Sequence, residues 1–140
     1  MAEFIVQGDV AAAVVKLLLA ASEVTAVTSN ISTDLRGYDR LTNPLWVKVE
    51  RHGGNVTFPF RVDRPRVDIE VHSTNRKAGH DLAAICQAAI FRAAGVGMYQ
   101  AVDCQIFGAK IESGILTAPD SDKDGSYRHI FSIRLSSTPK

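Results

Sequence analysis

The sequence predicts an α+β fold: a mostly antiparallel sheet of four to six strands with two helices packed on one face. Two segments, 10–21 and 77–94, carry apolar residues at helical spacing. Segments 66–73 and 126–136 instead alternate apolar and polar residues, as half-buried strands do. The order of helix, several strands, helix and two strands is typical of α+β domains, in which helices and sheet are segregated.

The first helix is expected over residues 10–21, where the carboxylate of Asp9 can accept hydrogen bonds from the free amides of the first turn. One face of this helix is apolar and comprises Val10, Val14, Leu17, Leu18 and Ala21. The other side is also largely apolar, with Ala11, Ala12, Val15 and Leu19. A helix that is apolar nearly all round needs cover on more than one side, and a neighbouring subunit is a candidate for the second cover.

The second helix is expected over residues 77–94, with Asn75 as its cap and Gly95 and Gly97 at its end. Its apolar stripe is Leu82, Ile85, Cys86, Ala89, Ile90 and Ala93. The opposite face carries Ala84, Ala88 and Phe91, which are small or apolar for a purely solvated surface. This face is therefore a candidate contact surface.

Strands are expected at 45–51, 56–62, 66–73, 101–112 and 126–136, with a turn at 52–55. Pro59 would place the second strand at an edge of the sheet, because proline cannot donate to a ladder. Long loops are expected at about 29–44, 52–65 and 113–125. Loops of this kind tend to carry binding residues.

The two clearest strands should each bury one face. In 66–73, Val67, Ile69 and Val71 should point into the core. The alternating residues Arg66, Asp68, Glu70 and His72 should meet solvent or a partner. In 126–136, one face comprises Tyr127, His129, Phe131, Ile133 and Leu135.

Composition limits the function classes. The chain has 140 residues, 46% hydrophobic and 22% charged, with a net charge of +1, which is ordinary for one globular domain spanning 1–140. The charge lacks the basic surplus of a general nucleic-acid binder. Cys86 and Cys104 form no metal or disulfide motif, so free buried thiols are expected. The apolar run at 10–21 contains Lys16 and is too short to span a membrane.

The sharpest chemical motif is the acidic loop 120–125, which matches the first half of a calcium loop with Asp120, Asp122, Asp124 and Gly125. The twelfth position is Phe131, where calcium loops need a bidentate glutamate, and the flanks are strands. A polar hairpin loop is favoured, and cation binding stays open.

Other chemical groupings are weaker. His80 and Asp81 are adjacent on a helix and point about 100° apart, so they do not form a base with its orienting acid. His72, His129 and Asp68 are residue types that can bind a metal, but nothing in their spacing demands a metal site. We therefore expect no catalytic residue, no cofactor and no metal ligand.

The basic residues in the middle of the chain are interleaved with acidic ones. The basic set is Arg36, Arg40, Lys48, Arg51, Arg61, Arg64 and Arg66, and the acidic set is Asp34, Asp39, Glu50, Asp63 and Asp68. Mixed signs favour salt-bridged or subunit contacts over a track for phosphates. A small nucleic-acid-binding module remains an alternative, and a small enzyme is a third.

The segment 63–73 (DRPRVDIEVHS), followed by the helix at 80–91 (HDLAAICQAAIF), resembles the tail-terminator and tail-completion proteins of long-tailed bacteriophages. The shared pattern is a proline before an alternating strand, a short polar turn, and a helix with Leu-Ala-x-x-Ile spacing. The N-terminal Asp-Val helix, the strand at 44–49 and the closing strand at 127–135 also fit. The resemblance covers nearly the whole chain.

The resemblance implies a structural virion protein, not an enzyme. Such proteins form a ring, usually a hexamer, that caps the tail tube, stops its polymerisation and offers a surface to head-completion proteins. The implied location is the head-proximal end of the tail, after assembly in the host cytoplasm. DNA would pass through the lumen as passive cargo, without a cofactor or membrane. A head-closure or head–tail joining protein of the connector is the nearest alternative.

Candidate contact residues lie in three places. Leu35, Arg36, Tyr38 and Arg40 lie in the first long loop and are expected to touch a neighbouring subunit or the tube. Arg66, Asp68 and Glu70 lie on the mixed-charge strand, and Phe91 lies on the second helix. A ring needs two different complementary patches on each subunit, and these groups are the candidates.

Overall fold

A six-stranded sheet is the frame of the fold in the computed structural model, which describes residues 6–39, 41–57, 62–95, 98–101, 103–119 and 126–139. The helices are α1 (Val10–Ala20), α2 (Ser22–Thr25) and α3 (Arg76–Ile90), which continues into a π-helical turn at Phe91–Gly95. The strands are β1 (Ile31–Ser32), β2 (Trp46–Thr57), β3 (Val62–Ser73), β4 (Tyr99–Ala101), β5 (Cys104–Pro119) and β6 (Tyr127–Pro139).

The strand order across the sheet is β1-β2-β3-β6-β5-β4. Among the described strands, β1 and β2 pair in parallel, and the other four pairs are antiparallel. The two long helices, α1 and α3, pack against the sheet and against each other. The predicted α+β class and the predicted mostly antiparallel sheet are therefore confirmed.

The core lies between this sheet and its helices. Val67, Ile69 and Val71 are fully buried, as are Phe131, Ile133 and Leu135 of the neighbouring strand. The predicted apolar face of α1 is also buried. Each such side chain contributes about 1.5–3 kcal/mol when it leaves water, so this layer dominates the stability of the fold.

Both predicted helix caps are confirmed. An Asp9 carboxylate oxygen accepts from the amide of Ala12 at 3.1 Å, and the Asn75 side chain accepts from Ala78 at 2.9 Å. The first helix ends at Ala20, one residue earlier than expected. The second ends as an α-helix at Ile90, and its wider π-helical continuation places Ala94 in the core.

The predicted turn at 52–55 is wrong, because β2 runs through it to Thr57. The register with β3 shifts between Arg51 and Gly54, which marks a β-bulge. Gly53 and Gly54 have φ values of 76° and 119°, and a bulge accommodates such positive φ at glycine. The glycines that indicated a chain reversal instead bend a continuous strand.

Two further predictions about connections are corrected. A separate strand at 56–62 does not form: 56–57 end β2, β3 begins at Val62, and Pro59 lies outside the described residues. The loops expected at 52–65 and 113–125 are partly strand, since β5 reaches Pro119. The loop at 29–44 contains the two-residue β1, which pairs beside β2. No helix in the described part of the chain is long and apolar enough to cross a membrane.

Candidate interaction surface

In the described part of the chain, one face of the sheet carries no helix and is lined with charged side chains, and we name it the charged face. Strand alternation places on it Lys48, Glu50 and His52 of β2, Arg66, Asp68, Glu70 and His72 of β3, and Arg128, Ser132 and Arg134 of β6. Three of the residues expected to make contacts, Arg66, Asp68 and Glu70, therefore share this face.

The expectation that these β3 residues meet solvent is only partly correct. The Arg66 side chain is 45% exposed, but Asp68 is 8% exposed and Glu70 10%. The backbone alternates as predicted, yet β3 lies between β2 and β6, and long side chains from both neighbours cover its carboxylates. A partner that contacts this face would therefore meet the exposed arginines before it met the covered carboxylates of β3.

Glu70 is the centre of one ion-pair cluster. Its carboxylate lies 3.5 Å from His72 Nε2, 3.6 Å from Lys48 Nζ and 3.6 Å from Arg128 Nη1. The imidazole of His72 and the Lys48 ammonium hold the pKa of Glu70 below its ordinary value. Glu50, 2.9 Å from Lys48 Nζ, raises the pKa of that lysine. The Glu70 carboxylate and the Lys48 ammonium therefore stay charged at neutral pH.

Asp68 is the centre of a second cluster further along β3. It accepts from Ser132 Oγ at 2.6 Å and from Arg66 Nε at 3.2 Å, and His52 Nε2 lies 3.5 Å away. These contacts tie β2, β3 and β6 together across the strand direction. They also hold the Arg66 guanidinium in a defined place on the surface.

The first long loop lies on the same face. The ring of Tyr38 is 5.6 Å from the ring of His72, and its hydroxyl is 3.4 Å from Ser126 Oγ. Trp46 donates from Nε1 to Ser32 Oγ at 3.0 Å. Gly37 stacks against Trp46 so closely that an added Cβ would lie 2.8 Å from Cζ3 of the indole. The loop thus covers the end of the charged face near His72.

The predicted loop residues differ in exposure. Arg36 is 90% exposed and pairs with Asp34 at 2.9 Å, which lowers the pKa of that carboxyl. Leu35 and Tyr38 are half-buried, and Arg40 lies outside the described residues. Arg66 lies about 20 Å from His72 along β3, at about 3.3 Å per residue. The loop and Arg66 therefore mark opposite ends of one face.

Phe91 does not belong to this surface. It is half-buried in the helix layer and packs against the core on the other side of the sheet. Beside it, a depression of about 390 Å³ is lined by Glu23, Ile85, Ala88, Ala89 and Arg92. The depression lies on the small-residue face of α3, and the Glu23–Arg92 ion pair lies at its rim.

The structure also brings together a serine and a histidine that are distant in the sequence. Ser73 Oγ lies 3.5 Å from His129 Nε2, and Thr117 Oγ1 lies 2.8 Å from His129 Nδ1. Both Ser73 and His129 are buried, and the Ser73 hydroxyl donates to the carbonyl of Asn75. A substrate cannot reach this pair, which instead anchors the start of α3 to the sheet. The strand alternation placed His129 inward, but no local pattern paired it with Ser73.

The hypothetical metal set of His72, His129 and Asp68 is not assembled. His72 lies on the charged face, whereas His129 points under α3, on the opposite face of the sheet. In the ranges described, no group of three His, Cys, Asp or Glu side chains could hold a metal ion. The loop with Asp120, Asp122 and Asp124 lies outside those ranges.

Both cysteines are free and buried, as the sequence indicated. Burial raises the pKa of the Cys86 thiol to about 12 and that of the Cys104 thiol to about 11. The thiolate is the reactive form, so both thiols are unreactive at neutral pH.

We expect His129 to make the fold less stable in mild acid. Burial lowers the pKa of His129 below 6.5. The unfolded chain therefore binds a proton near pH 6.5 that the folded chain resists, and stability falls as pH drops below that value. The loss of stability levels off below the pKa that His129 has in the folded protein. Each unit by which folding lowers the pKa of His129 corresponds to about 1.4 kcal/mol of unfolding free energy. Urea denaturation at pH 7.5 and pH 5 measures the difference.

A His129→Gln variant is the matched control for this pH dependence. Its free energy of unfolding should be lower at pH 7.5, because the contact with Thr117 is altered, but it should change less between pH 7.5 and pH 5. Equal pH dependence in both proteins would show that other groups cause the effect. A separate loss is expected below about pH 4.5, where the lowered pKa values of Glu50 and Glu70 lie.

Comparison with known proteins identifies a shared fold but no relative in sequence. No protein-family model matches the chain, and no curated protein matches it in sequence. Among solved structures, a chain of the virion of a native gene transfer agent particle superimposes with a TM-score of 0.69 at 14% sequence identity. The match covers 91% of this chain and 92% of that one. The likeness shows that the two chains share a fold over nearly their whole lengths.

Proposed function

We propose that this chain is a structural protein of a phage-like virion, a single tail-terminator-like domain that assembles into a ring, most simply a hexamer. The ring would cap the tail tube, end its polymerisation and present a surface to the head-completion proteins. The observation that carries the proposal is the shared fold with a chain of a gene transfer agent virion, matched over 91% of this chain. The resemblance of 63–73 and 80–91 to tail terminators points the same way.

The surfaces support an assembling role. A closed ring of identical subunits needs two different complementary patches on each copy. The charged face offers exposed Arg66 and Arg128 over fixed carboxylates, and the helix layer offers the depression at Ala88. Fixed charge pairs of this kind select a partner and set its register more than they add affinity.

A nucleic-acid module is less well supported. Single-stranded nucleic acid binds on exposed aromatic platforms beside a basic groove. On the described β2, β3 and β6 positions of the charged face, the aromatic rings are those of Trp46, His52 and His72. Gly37 and Tyr38 cover Trp46 and His72, and His52 lies beside the carboxylates of Glu50 and Asp68. Acidic Glu50, Asp68 and Glu70 interleave with the arginines, so DNA would meet this chain only as cargo in the lumen.

The first experiment is the mass of the purified protein in solution over a range of concentrations, with negative-stain images of the same sample. Rings of six or a similar number of copies are the expected result. Purified tail tubes are then added to test whether the rings bind the tube end and stop its elongation. A chain that stays monomeric at high concentration and leaves tube growth unchanged would overturn the proposal.

Changing Leu35, Arg36 and Tyr38 together to alanine should weaken ring formation or tube binding about tenfold or more, because aromatic and arginine anchors often each supply over 1 kcal/mol. Lys77→Ala is the control, since Lys77 is exposed on α3 and forms an ion pair with Asp81 of the same helix. Circular dichroism checks that both variants fold. Unchanged assembly and tube binding in the triple variant would show that the loop is not part of the interface.

A further inference from the structure

Both ends of the sheet leave long stretches of strand edge open. On β2, the short β1 pairs only with Val47 and Lys48. On β5, β4 pairs only with residues 104–106. Within the described ranges, no strand pairs with the outer edge of β2 at 49–57 or with that of β5 at 107–119. Each subunit therefore has two different edges, on opposite sides of the sheet.

The edge of β5 is also unusually apolar. Phe107, Ile111 and Leu116 are 42%, 48% and 63% exposed. Val56 on the β2 edge is 36% exposed. Proteins normally shield an edge with charge, proline or a covering element, because a flat apolar edge pairs with other chains. The β5 edge also carries Lys110, Glu112 and three register shifts against β6, but its exposed apolar side chains favour a partner strand there.

The backbone of β2 is oriented for such pairing. The amide of Val47 donates outward to the carbonyl of Asn30, at 2.9 Å. Since hydrogen-bonding direction alternates along a strand, the amide of Arg51 also points outward, and it lies beyond the end of β1. A strand added at this edge would pair with the backbone from Arg51 onward.

The strand directions fit a head-to-tail joint. Three antiparallel steps separate β2 from β5, so the two edge strands run in opposite directions. Rotation about an axis parallel to the strands preserves strand direction. The β5 of one copy would then lie antiparallel to the β2 of the next, with the helices of both on the same side.

We infer that the ring closes by strand addition: the open edge of β5 at 107–119 pairs antiparallel with the open edge of β2 at 49–57 of a second copy. The sheet then continues from subunit to subunit around the ring. The inference rests on the proposed function, because it specifies how that ring is held together. It differs from a two-fold dimer, in which β5 pairs with β5 and the β2 edge stays open.

Cysteine cross-linking tests the joint in the assembled protein. His52→Cys and Ser113→Cys place exposed thiols on the two edges, and the buried native thiols of Cys86 and Cys104 stay unreactive. A short bis-maleimide reaches roughly 10 Å, about twice the spacing of paired strands. The double variant should give a ladder of covalent multimers, and neither single variant should give dimers. A Lys16→Cys/Ser113→Cys protein, with one thiol on the exposed side of α1, is the control and should give no ladder.

The outcomes separate the joint from the function. Rings with a ladder in the double variant alone support the inference. Rings without a ladder, or a ladder of equal yield in the Lys16 control, overturn the joint and leave the ring intact. Dimers from Ser113→Cys alone also overturn it, because they show β5 pairing with β5. If the unmodified chain forms no ring at any concentration and does not bind tube ends, the proposed function fails and the joint fails with it.

Discussion

Replacing Arg51 by methionine is expected to lower the free energy of unfolding by about 3 kcal/mol, at the low end of the range for breaking a buried ion pair. Asp63 is 1% exposed, and Arg51 Nη2 donates to its Oδ1 at 2.8 Å. Without the guanidinium, a charged carboxylate stays buried and unpaired. Since Arg51 itself is 33% exposed, water can reach part of the vacated space, which limits the loss.

Arg51 has a second role in the same hairpin. Its Nε donates to the carbonyl of Gly53 at 3.1 Å, inside the bulge of β2. The variant therefore also releases the bulge on the open edge of that strand. If ring closure uses this edge, Arg51→Met should weaken assembly beyond its effect on folding.

Urea denaturation at neutral pH measures the stability change. The control is the double variant Arg51→Met/Asp63→Leu, which removes both charges and should recover much of the loss, because apolar pairs of similar volume replace buried ion pairs at little cost. A loss under about 1 kcal/mol in the single variant would show that the pair behaves like a surface salt bridge.

Gly79→Ala is expected to destabilise the fold by about 1–3 kcal/mol, although alanine normally favours a helix over glycine by about 1 kcal/mol. An added Cβ at Gly79 would lie 2.5 Å from His129 Cδ2 and closer still to Ser73 Oγ and His129 Nε2. Ser73 is held by Asn75 and His129 by Thr117, so neither side chain can move away freely. Steric overlap therefore outweighs helix propensity, and α3 must shift on the sheet.

Gly114→Ala is the matched control, because nothing lies within 4 Å of a Cβ added there. It should leave the thermal midpoint nearly unchanged, whereas Gly79→Ala should lower it by several degrees, at about 2–4 °C per kcal/mol for a chain of roughly this size. A Gly79→Ala protein as stable as the parent would show that α3 is not pinned at this point.

Local sequence was sufficient for most of the fold. It determined both long helices and their caps at Asp9 and Asn75, since capping and helical spacing depend on residues a few positions apart. It also determined the inward faces of β3 and β6, because strand alternation is a property of the backbone. The α+β class followed from the order of these elements.

Only the tertiary structure decided how strands meet, because pairing depends on residues far apart in the chain. Gly53 and Gly54 resemble a turn in sequence, and only the register with β3 makes them a bulge. The burial of Asp68 and Glu70 depends on neighbours supplied by β2 and β6, and the Ser73–His129 contact joins residues 56 positions apart. For the candidate surface, the sequence named residues of the first loop and β3, which the structure places on one face of the sheet, but it also grouped Phe91 with them. The sheet separates Phe91 from the others, since which face a side chain occupies is decided by packing between elements and not by its neighbours in sequence.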